Sequence, residues 1–177
     1  MKLTDTREIK AAPETVWEAI LNPDVLKECI PGCQSLTGSV AEGYEAVVKQ
    51  KIGPVSATFT GLVKLSDIVQ GQSLRISGEG KGGVAGFAKG GAAVVLEPMD
   101  GGTRLTYDAE ASVGGKIAQL GSRLIDSFAK KLADEFFTRF QDAVEPPDEE
   151  DAAAEGNETI ADSAEKKKGW FKRLVGG

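Results

Sequence analysis

Residues 103–132 read TRLTYDAEASVGGKIAQLGSRLIDSFAKKL, and the spacing of their apolar side chains changes at Gly114 and Gly115. Before these glycines apolar and polar residues alternate, which is typical of a β-strand with one buried face. After them apolar residues recur every three or four positions, which is the spacing of an amphipathic α-helix. The stretch therefore predicts a strand followed by one long helix, which we expect to run from Lys116 to Val144 and to end before Pro146.

Both predicted elements have one apolar face. The strand residues expected to face one way are Leu105, Tyr107, Ala109 and Ala111, with Arg104, Thr106, Asp108 and Glu110 on the other side. The helical stripe comprises Ile117, Leu120, Leu124, Phe128, Leu132 and Phe136, and it is widened by Phe137 and Phe140. We expect the two apolar faces to meet in the interior.

The residues before this stretch predict a strand, two short helices and a series of hairpins. Residues 2–10 (KLTDTREIK) are interpreted as a first strand, and residues 12–23 (APETVWEAILNP) as a helix with Pro13 in its first turn. Residues 24–30 (DVLKECI) predict a second short helix. Turn signals about ten residues apart then favour an antiparallel sheet. The predicted order is strand, two short helices, about six strands and one long helix.

A strongly curved sheet could wrap this helix and leave a space beneath it. Glycine permits bends and bulges inside strands, and a bent sheet does not meet a straight helix along its whole length. The sequence thus predicts an α+β fold with an apolar pocket, while a core that is packed shut remains the alternative. The glycines that interrupt the strand patterns are Gly61, Gly78, Gly80, Gly86, Gly90 and Gly91.

The composition excludes several kinds of catalytic and metal site. The chain has 177 residues, enough for one domain plus an appendage, and it contains no histidine. Ser-His-Asp and Cys-His catalysis are therefore excluded, as are most zinc sites. Cys29 and Cys33 have C-x₃-C spacing, but no further ligands accompany them, so we expect no metal site. We predict that the protein is not an enzyme.

The N-terminal residues and the hydropathy pattern predict a cytoplasmic location. MKLTDTREIK has no apolar segment of the kind found in signal peptides. No apolar run reaches the roughly 18 residues that a membrane-spanning helix needs.

Charge divides the chain into three parts. Residues 1–144 carry a net charge of −2, residues 145–165 hold nine acids and no bases, and residues 166–177 hold five cations and no acids. We interpret these parts as a ligand-binding domain (1–144), an acidic disordered linker (145–165) and a basic aromatic segment (166–177). A domain this weakly charged is not expected to bind nucleic acid.

The basic aromatic segment is predicted to tether the protein to an anionic membrane surface. On a helical wheel its apolar side chains share one arc and most of its cations lie outside that arc. A disordered solubilising tail, or a docking peptide for a partner protein, remains the alternative. The predicted membrane-binding residues are Lys166, Lys167, Lys168, Trp170, Phe171, Lys172, Arg173, Leu174 and Val175.

Several motifs in residues 1–144 resemble one known family. They are APETVWEAI (12–20), CIPGC (29–33), KIGPVSATFTG (51–61), GGTRLTYDAEASVGGKIAQLGSRLI (101–125) and the pair Phe136-Phe137. Together they resemble the CoxG-like family, named for the CoxG subunit of carbon monoxide dehydrogenase. That family belongs to the START/polyketide-cyclase-like (SRPBCC) superfamily, whose fold is called helix-grip.

The resemblance implies an accessory protein located peripherally on the inner face of the cell membrane. The family is linked to membrane attachment of molybdenum hydroxylase-type dehydrogenases and to their electron delivery into the quinone pool. Most superfamily members bind lipids or other apolar small molecules, and some are enzymes. A maturation factor for the dehydrogenase, or a cyclase- or hydrolase-like enzyme using the same cavity, therefore remains an alternative.

The expected ligand of the pocket is a lipidic quinone, menaquinone or ubiquinone, with no covalently bound cofactor. Phe87, alone among small residues, is a candidate lid over the pocket. The residues predicted to bind the ligand are Phe59, Val63, Ile76, Phe87, Val94, Leu96, Leu105, Tyr107, Ile117, Leu120, Leu124 and Phe128.

Overall fold

The computed structural model describes residues 1–146, which form seven strands and three α-helices. The order is the predicted one: a strand, two short helices, six strands and a long helix. The strands are β1 (Lys2–Ile9), β2 (Cys33–Ser39), β3 (Gly43–Ile52), β4 (Val55–Val69), β5 (Ser73–Lys81), β6 (Phe87–Met99) and β7 (Gly102–Gly114). The helices are α1 (Pro13–Leu21), α2 (Pro23–Cys29) and α3 (Ser122–Val144), with 3₁₀ helices at Gly83–Ala85 and Gly115–Leu120.

All seven strands belong to one antiparallel sheet, in the order β1-β7-β6-β5-β4-β3-β2. Strands β2 to β7 follow one another as hairpins, and β1 pairs with β7 at the far edge. The turn between β3 and β4 contains Gly53 at φ +57°, a conformation that residues with a Cβ rarely adopt. The predicted α+β class, a curved antiparallel sheet with a long C-terminal helix, is confirmed.

The two short helices begin at prolines. Pro13 and Pro23 each stand in a first helical turn, where the missing N–H would have no partner within the helix. The Asn22 side chain accepts a hydrogen bond from the Asp24 N–H at 2.9 Å and so caps the start of α2. Helix α1 buries Val16 and Trp17 against the sheet side of the interior.

The prediction of one helix from Lys116 to Val144 is wrong at its start. Gly115–Leu120 is a 3₁₀ helix, and Gly121 at φ +94° separates it from α3. A positive φ is incompatible with a right-handed helix and is easily reached only by glycine. The break lets Ile117, which is 2% exposed, turn into a core with Ile52 and Ala85.

Helix α3 is held to the sheet at both ends. At its start Leu124 lies over the β3–β4 turn, where a Cβ added to Gly53 would meet Leu124 Cδ2 at 2.8 Å. Near its end the Gln141 side-chain amide donates to the Glu8 carbonyl at 3.1 Å, and the Lys10 N–H donates to the Glu145 carboxylate at 2.9 Å. The helix therefore spans the sheet from the β3–β4 turn to β1.

Three apolar clusters surround the interior. The largest, the first core, joins α1, α2, the end of α3 and strands β5 to β7. The second core lies on β2 and β3, and the third core joins the β3–β4 end of the sheet to the two 3₁₀ helices. Representative members are Val16, Trp17, Leu105 and Phe140 in the first core, Leu36, Tyr44 and Ala46 in the second, and Ile52, Ala85 and Ile117 in the third.

Within residues 1–146 no helix is both long and apolar enough to cross a membrane. The predicted linker, beyond Glu145 and Pro146, and the whole of the predicted membrane-binding segment lie outside the described residues.

Replacing Phe140 by alanine should lower the free energy of unfolding by about 3–5 kcal/mol, because the ring is fully buried and the first core cannot close around its loss. Phe140 is 1% exposed, whereas Phe87, the matched control, is 48% exposed. Phe87→Ala should cost less than about 1 kcal/mol. Urea denaturation measures both, and equal losses for the two variants would contradict the assignment of the core.

Candidate functional site

A cavity of about 590 Å³ lies between the sheet and the helices, and it is partly open to solvent. Its floor is the inner face of β3 to β7. Its roof is made by Ile20 of α1, Leu26 of α2 and the aromatic residues at the end of α3. The alternative of an interior packed shut is therefore wrong. Such a volume falls within the range of roughly 300–1,000 Å³ that is usual for small-molecule sites.

The cavity exists because small residues occupy the centre of the inner face. Cross-strand partners in a sheet point to the same side, so each row of partners forms one line of side chains across the floor. One row runs Ala46, Gly61, Gly80, Ala88, and the neighbouring row runs Val63, Gly78, Gly90, Ala111. These rows contribute few atoms above the backbone, so the helices have nothing to pack against there.

Two of these glycines are not required by the backbone. A Cβ added to Gly80 would meet Phe59 Cβ at 3.8 Å, and one added to Gly61 would meet the Glu79 carbonyl oxygen at 3.5 Å. Both distances are ordinary van der Waals contacts. By contrast, a Cβ at Gly91 would lie 2.7 Å from the Ile76 carbonyl oxygen, which is too close. Gly61 and Gly80 therefore leave space that a larger side chain could fill.

Aromatic rings form the wall under α3. Tyr107 and Phe137 stack with ring centroids 5.3 Å apart and planes at 16°, and Phe136 stacks on Phe140 at 5.7 Å and 18°. All four line the cavity. The two stacks stand edge-on to each other, with the Phe136 and Phe137 planes at 87°, so the wall offers both ring faces and ring edges to an apolar ligand.

A charged cluster lies behind this aromatic wall. Arg7 is on the inner face of β1, where it binds Asp134 of α3 at 2.6 Å and Asp5 at 3.1 Å. Its guanidinium also lies 4.9 Å from the centre of the Phe137 ring, within cation–π range. The hydrogen bond from Arg7 holds the pKa of Asp134 below its ordinary value. The cluster fixes α3 against β1 at the edge of the cavity.

Tyr107 connects this cluster to the cavity. Burial raises the pKa of Tyr107, and the neighbouring Arg7 only partly offsets that rise, so the hydroxyl stays protonated at neutral pH and can donate a hydrogen bond. The other tyrosine that lines the cavity, Tyr44, already donates a hydrogen bond to the Leu21 carbonyl at 2.7 Å. Tyr107 thus lines the cavity, and its hydroxyl lies next to Arg7.

The cysteines offer no reactive thiolate. Burial raises the pKa of Cys29 from 9.0 to about 12, so the thiol is protonated at physiological pH. Cys33 is less buried, its pKa is also raised by burial, and its Sγ donates to the Ser35 carbonyl at 3.3 Å. Residues 1–146 contain no group of three or more acidic, cysteine or histidine side chains placed to hold a metal ion.

Of the predicted ligand-binding residues, half line the cavity and half lie elsewhere. Leu96 is buried in the first core, and Ile117 is in the third core with Leu120 and Phe128 packed against it. Leu124 and Phe87 are 37% and 48% exposed, and Phe87 does not cover the cavity. Ligand binding itself stays a prediction for those that do line it: Phe59, Val63, Ile76, Val94, Leu105 and Tyr107.

Two of the six residues that lie elsewhere, Ile117 and Leu120, precede the break at Gly121. A continuous helix would carry Ile117, Leu120 and Leu124 on the same stripe as Phe136, but the break at Gly121 directs the earlier residues to the third core. The sequence did contain a signal for the residues that line the cavity, because Phe137 and Phe140 widen the apolar face of the long helix near its C-terminal end. The wall residues absent from the predicted ligand-binding set include Ile20, Leu26, Ile30, Leu36, Tyr44, Val48, Phe136, Phe137 and Phe140.

Comparisons with known proteins agree with this architecture. A sequence model of the family described as the CoxG subunit of carbon monoxide dehydrogenase matches residues 6–145. A search of curated protein sequences finds no match. The crystal structure of a conserved protein from Geobacillus kaustophilus is 31% identical, with a TM-score of 0.76 over 81% of this chain and 95% of that chain.

Two more distant structures share the fold alone. A protein from Chromobacterium violaceum is 18% identical, with a TM-score of 0.61 over 83% of this chain and 99% of its own. A protein from Thermus thermophilus is 15% identical, with a TM-score of 0.61 over 81% of this chain and 97% of its own.

Gly80→Leu should fill part of the cavity without unfolding the protein, because the backbone accepts a Cβ there. We expect an apolar fluorescent probe to bind about tenfold or more weakly, a change of roughly 1.4 kcal/mol. The control is Ser77→Leu on the outer, exposed face of the same strand, which should bind the probe as the unaltered protein does. Probe titration measures both. Unchanged binding by Gly80→Leu would show that the probe does not use this cavity.

Proposed function

The chain belongs to the CoxG family of carbon monoxide dehydrogenase subunits, and on that premise we propose that it carries a lipidic quinone between a membrane and a molybdenum-containing dehydrogenase. In this role it is an accessory protein that links the dehydrogenase to the quinone pool. The name of the family supports the association with a carbon monoxide dehydrogenase. The superfamily we propose for it is the START/polyketide-cyclase-like (SRPBCC) one.

The observation that supports a quinone is the combination of an apolar cavity with a single available phenol. A quinone has a flat ring, two carbonyl oxygens and a long apolar chain. The ring suits the aromatic lining formed by Tyr107, Phe136 and Phe137, and the chain suits the glycine-lined floor. The Tyr107 hydroxyl, protonated and next to Arg7, would donate to a carbonyl oxygen.

The proposed location is the cytoplasmic, inner face of the cell membrane. Residues 166–177 combine five cations with Trp170 and Phe171, and in the sequence the acidic residues 145–165 come between them and residues 1–144. Each cation near an anionic surface contributes about 1 kcal/mol, so five can hold the protein reversibly against the ordering cost of the segment. Such binding weakens as salt screens the charges.

Organic extracts of the protein purified from its native host should contain a quinone when examined by mass spectrometry. Gly80→Leu should lose it, because the leucine occupies the cavity. Tyr107→Phe should retain about five- to tenfold less, the value of one hydrogen bond. The matched control is Tyr44→Phe, whose hydroxyl is already bound to the Leu21 carbonyl and is not expected to contact ligand. Extracts that contain only another lipid class would overturn the quinone assignment.

Replacing Lys166, Lys167, Lys168, Lys172 and Arg173 by glutamine in the full chain should abolish most sedimentation with phosphatidylglycerol vesicles. The loss follows from removing all five cations of the segment. A control of equal charge change replaces lysines of the folded part by glutamine and should sediment normally: Lys10, Lys27, Lys64, Lys130 and Lys131. If the tail variant sediments like the unaltered chain, residues 166–177 are not the tether.

A further inference from the structure

Three chain segments meet at one end of the sheet, next to the third core. They are the β3–β4 turn, the β5–β6 connection and the residues between β7 and α3. Ile52, Ala85 and Ile117, one from each segment, pack together there and are at most 9% exposed. We call this surface the basic end and define it by its exposed residues Lys51, Lys81, Val84, Phe87, Lys116, Arg123 and Leu124.

The basic end has an unbalanced positive charge. Lys51, Lys81, Lys116 and Arg123 are exposed, and within residues 1–146 none of the four forms an ion pair. Residues 46–66, 80–96 and 111–125, which supply them, contain no acidic residue, and Glu79 and Asp126 directly adjoin the second and third of these ranges. Since residues 1–144 carry a net charge of −2, the cations are concentrated here while acids predominate elsewhere.

Exposed apolar side chains lie among these cations. Val84 is 92% exposed, Phe87 48% and Leu124 37%. Val84 stands in the short 3₁₀ helix of the β5–β6 connection, between Gly82 and Gly86. Its side chain therefore projects from the tip of that connection and not from the face of the sheet. Apolar tips flanked by lysine and arginine match the interfacial zone of a bilayer, where apolar groups enter the acyl boundary and cations remain with the headgroups.

The basic end is also connected to the cavity. Phe59 packs against the third core and, among the described members of that cluster, is the one that also lines the cavity. Its ring covers Gly82, since a Cβ added there would meet Phe59 Cε1 at 2.5 Å. Phe59 therefore contacts both the third core, next to the basic end, and the cavity.

We propose that the basic end docks on an anionic lipid surface, with Val84 and Phe87 in the headgroup region and the four cations on the lipid phosphates. The proposal rests on the membrane location proposed above, but it uses none of residues 166–177. In this arrangement residues 1–146 make a second contact with the membrane. The side of the cavity that Phe59 lines then faces the bilayer. The exposure of Val84 and the absence of acidic residues from the segments that form this end favour lipid over a protein surface.

Fluorescence quenching by lipids with brominated acyl chains tests this docking in the full chain. Phe87→Trp is compared with Val69→Trp, both with Trp170→Phe to remove the tail fluorescence. Val69 is a matched control because it is 48% exposed and its neighbours in residues 66–72 include Asp67 and no cation. Trp17, 2% exposed, adds a constant background. With phosphatidylglycerol vesicles we expect quenching of the Phe87→Trp protein and little or none for Val69→Trp.

The outcomes separate this proposal from the tail. Protein that sediments with vesicles but shows no quenching from Phe87→Trp, or equal quenching from Val69→Trp, overturns the docking and leaves the tail as the tether. Quenching that persists in the five-cation tail variant supports the docking and shows that residues 166–177 are not needed as the tether. A chain that binds no vesicles overturns both.

The cations of the basic end provide a second measurement. Replacing Lys51, Lys81 and Lys116 by glutamine should weaken vesicle binding about fivefold per charge. Lys64→Gln with Arg75→Gln, on strands β4 and β5 away from the basic end, should leave it unchanged. An equal effect per charge removed in the two sets would show that only net charge matters and would overturn a specific docking surface.

Discussion

The helices leave a space above the middle of the sheet, where glycine and alanine occupy its inner face. An apolar void in a protein interior costs stability, since the lining atoms lose their contacts on one side. The surrounding structure must offset that cost. Three separate apolar clusters at the margins of the sheet do so, and the buried aromatic residues of α3 supply much of the first one.

Glycine has two different physical roles in this sheet. At Gly91 the neighbouring backbone comes so close that no Cβ fits, so the residue is needed for strand packing. At Gly61 and Gly80 a side chain would fit without strain, yet none is present. The backbone does not require glycine at these positions, and its effect there is to leave volume. A site for an apolar ligand is the simplest physical use of such volume.

The position of α3 explains how the space stays open. Leu124 holds its start at the β3–β4 turn, and Arg7, Gln141 and Glu145 hold its end to β1. Among described residues, only its second half lines the cavity, through Phe136, Phe137 and Phe140. The ion pair of Arg7 with Asp134 is partly shielded from water, since Arg7 is 18% exposed, and it is supported by the Phe137 ring. Helix α3 is thus attached to the sheet near both of its ends, with open space between the two attachments.

The sequence by itself determined the order of the elements, the two short helices after the first strand, and the inward face of β7. These follow from local rules, because period, turn residues and proline act over a few residues. It also indicated that a sheet bent at its glycines would leave a space beneath the helix. Only the tertiary structure decided that Phe136, Phe137 and Tyr107 form the wall while Ile117, Leu120 and Phe128 pack in a separate core. Periodicity shows which side of an element is apolar, but not how close the opposing element comes. The φ of Gly121, which redirects the chain before α3, depends on the packing of Ile117 against residues distant in the chain and not on its neighbours in sequence.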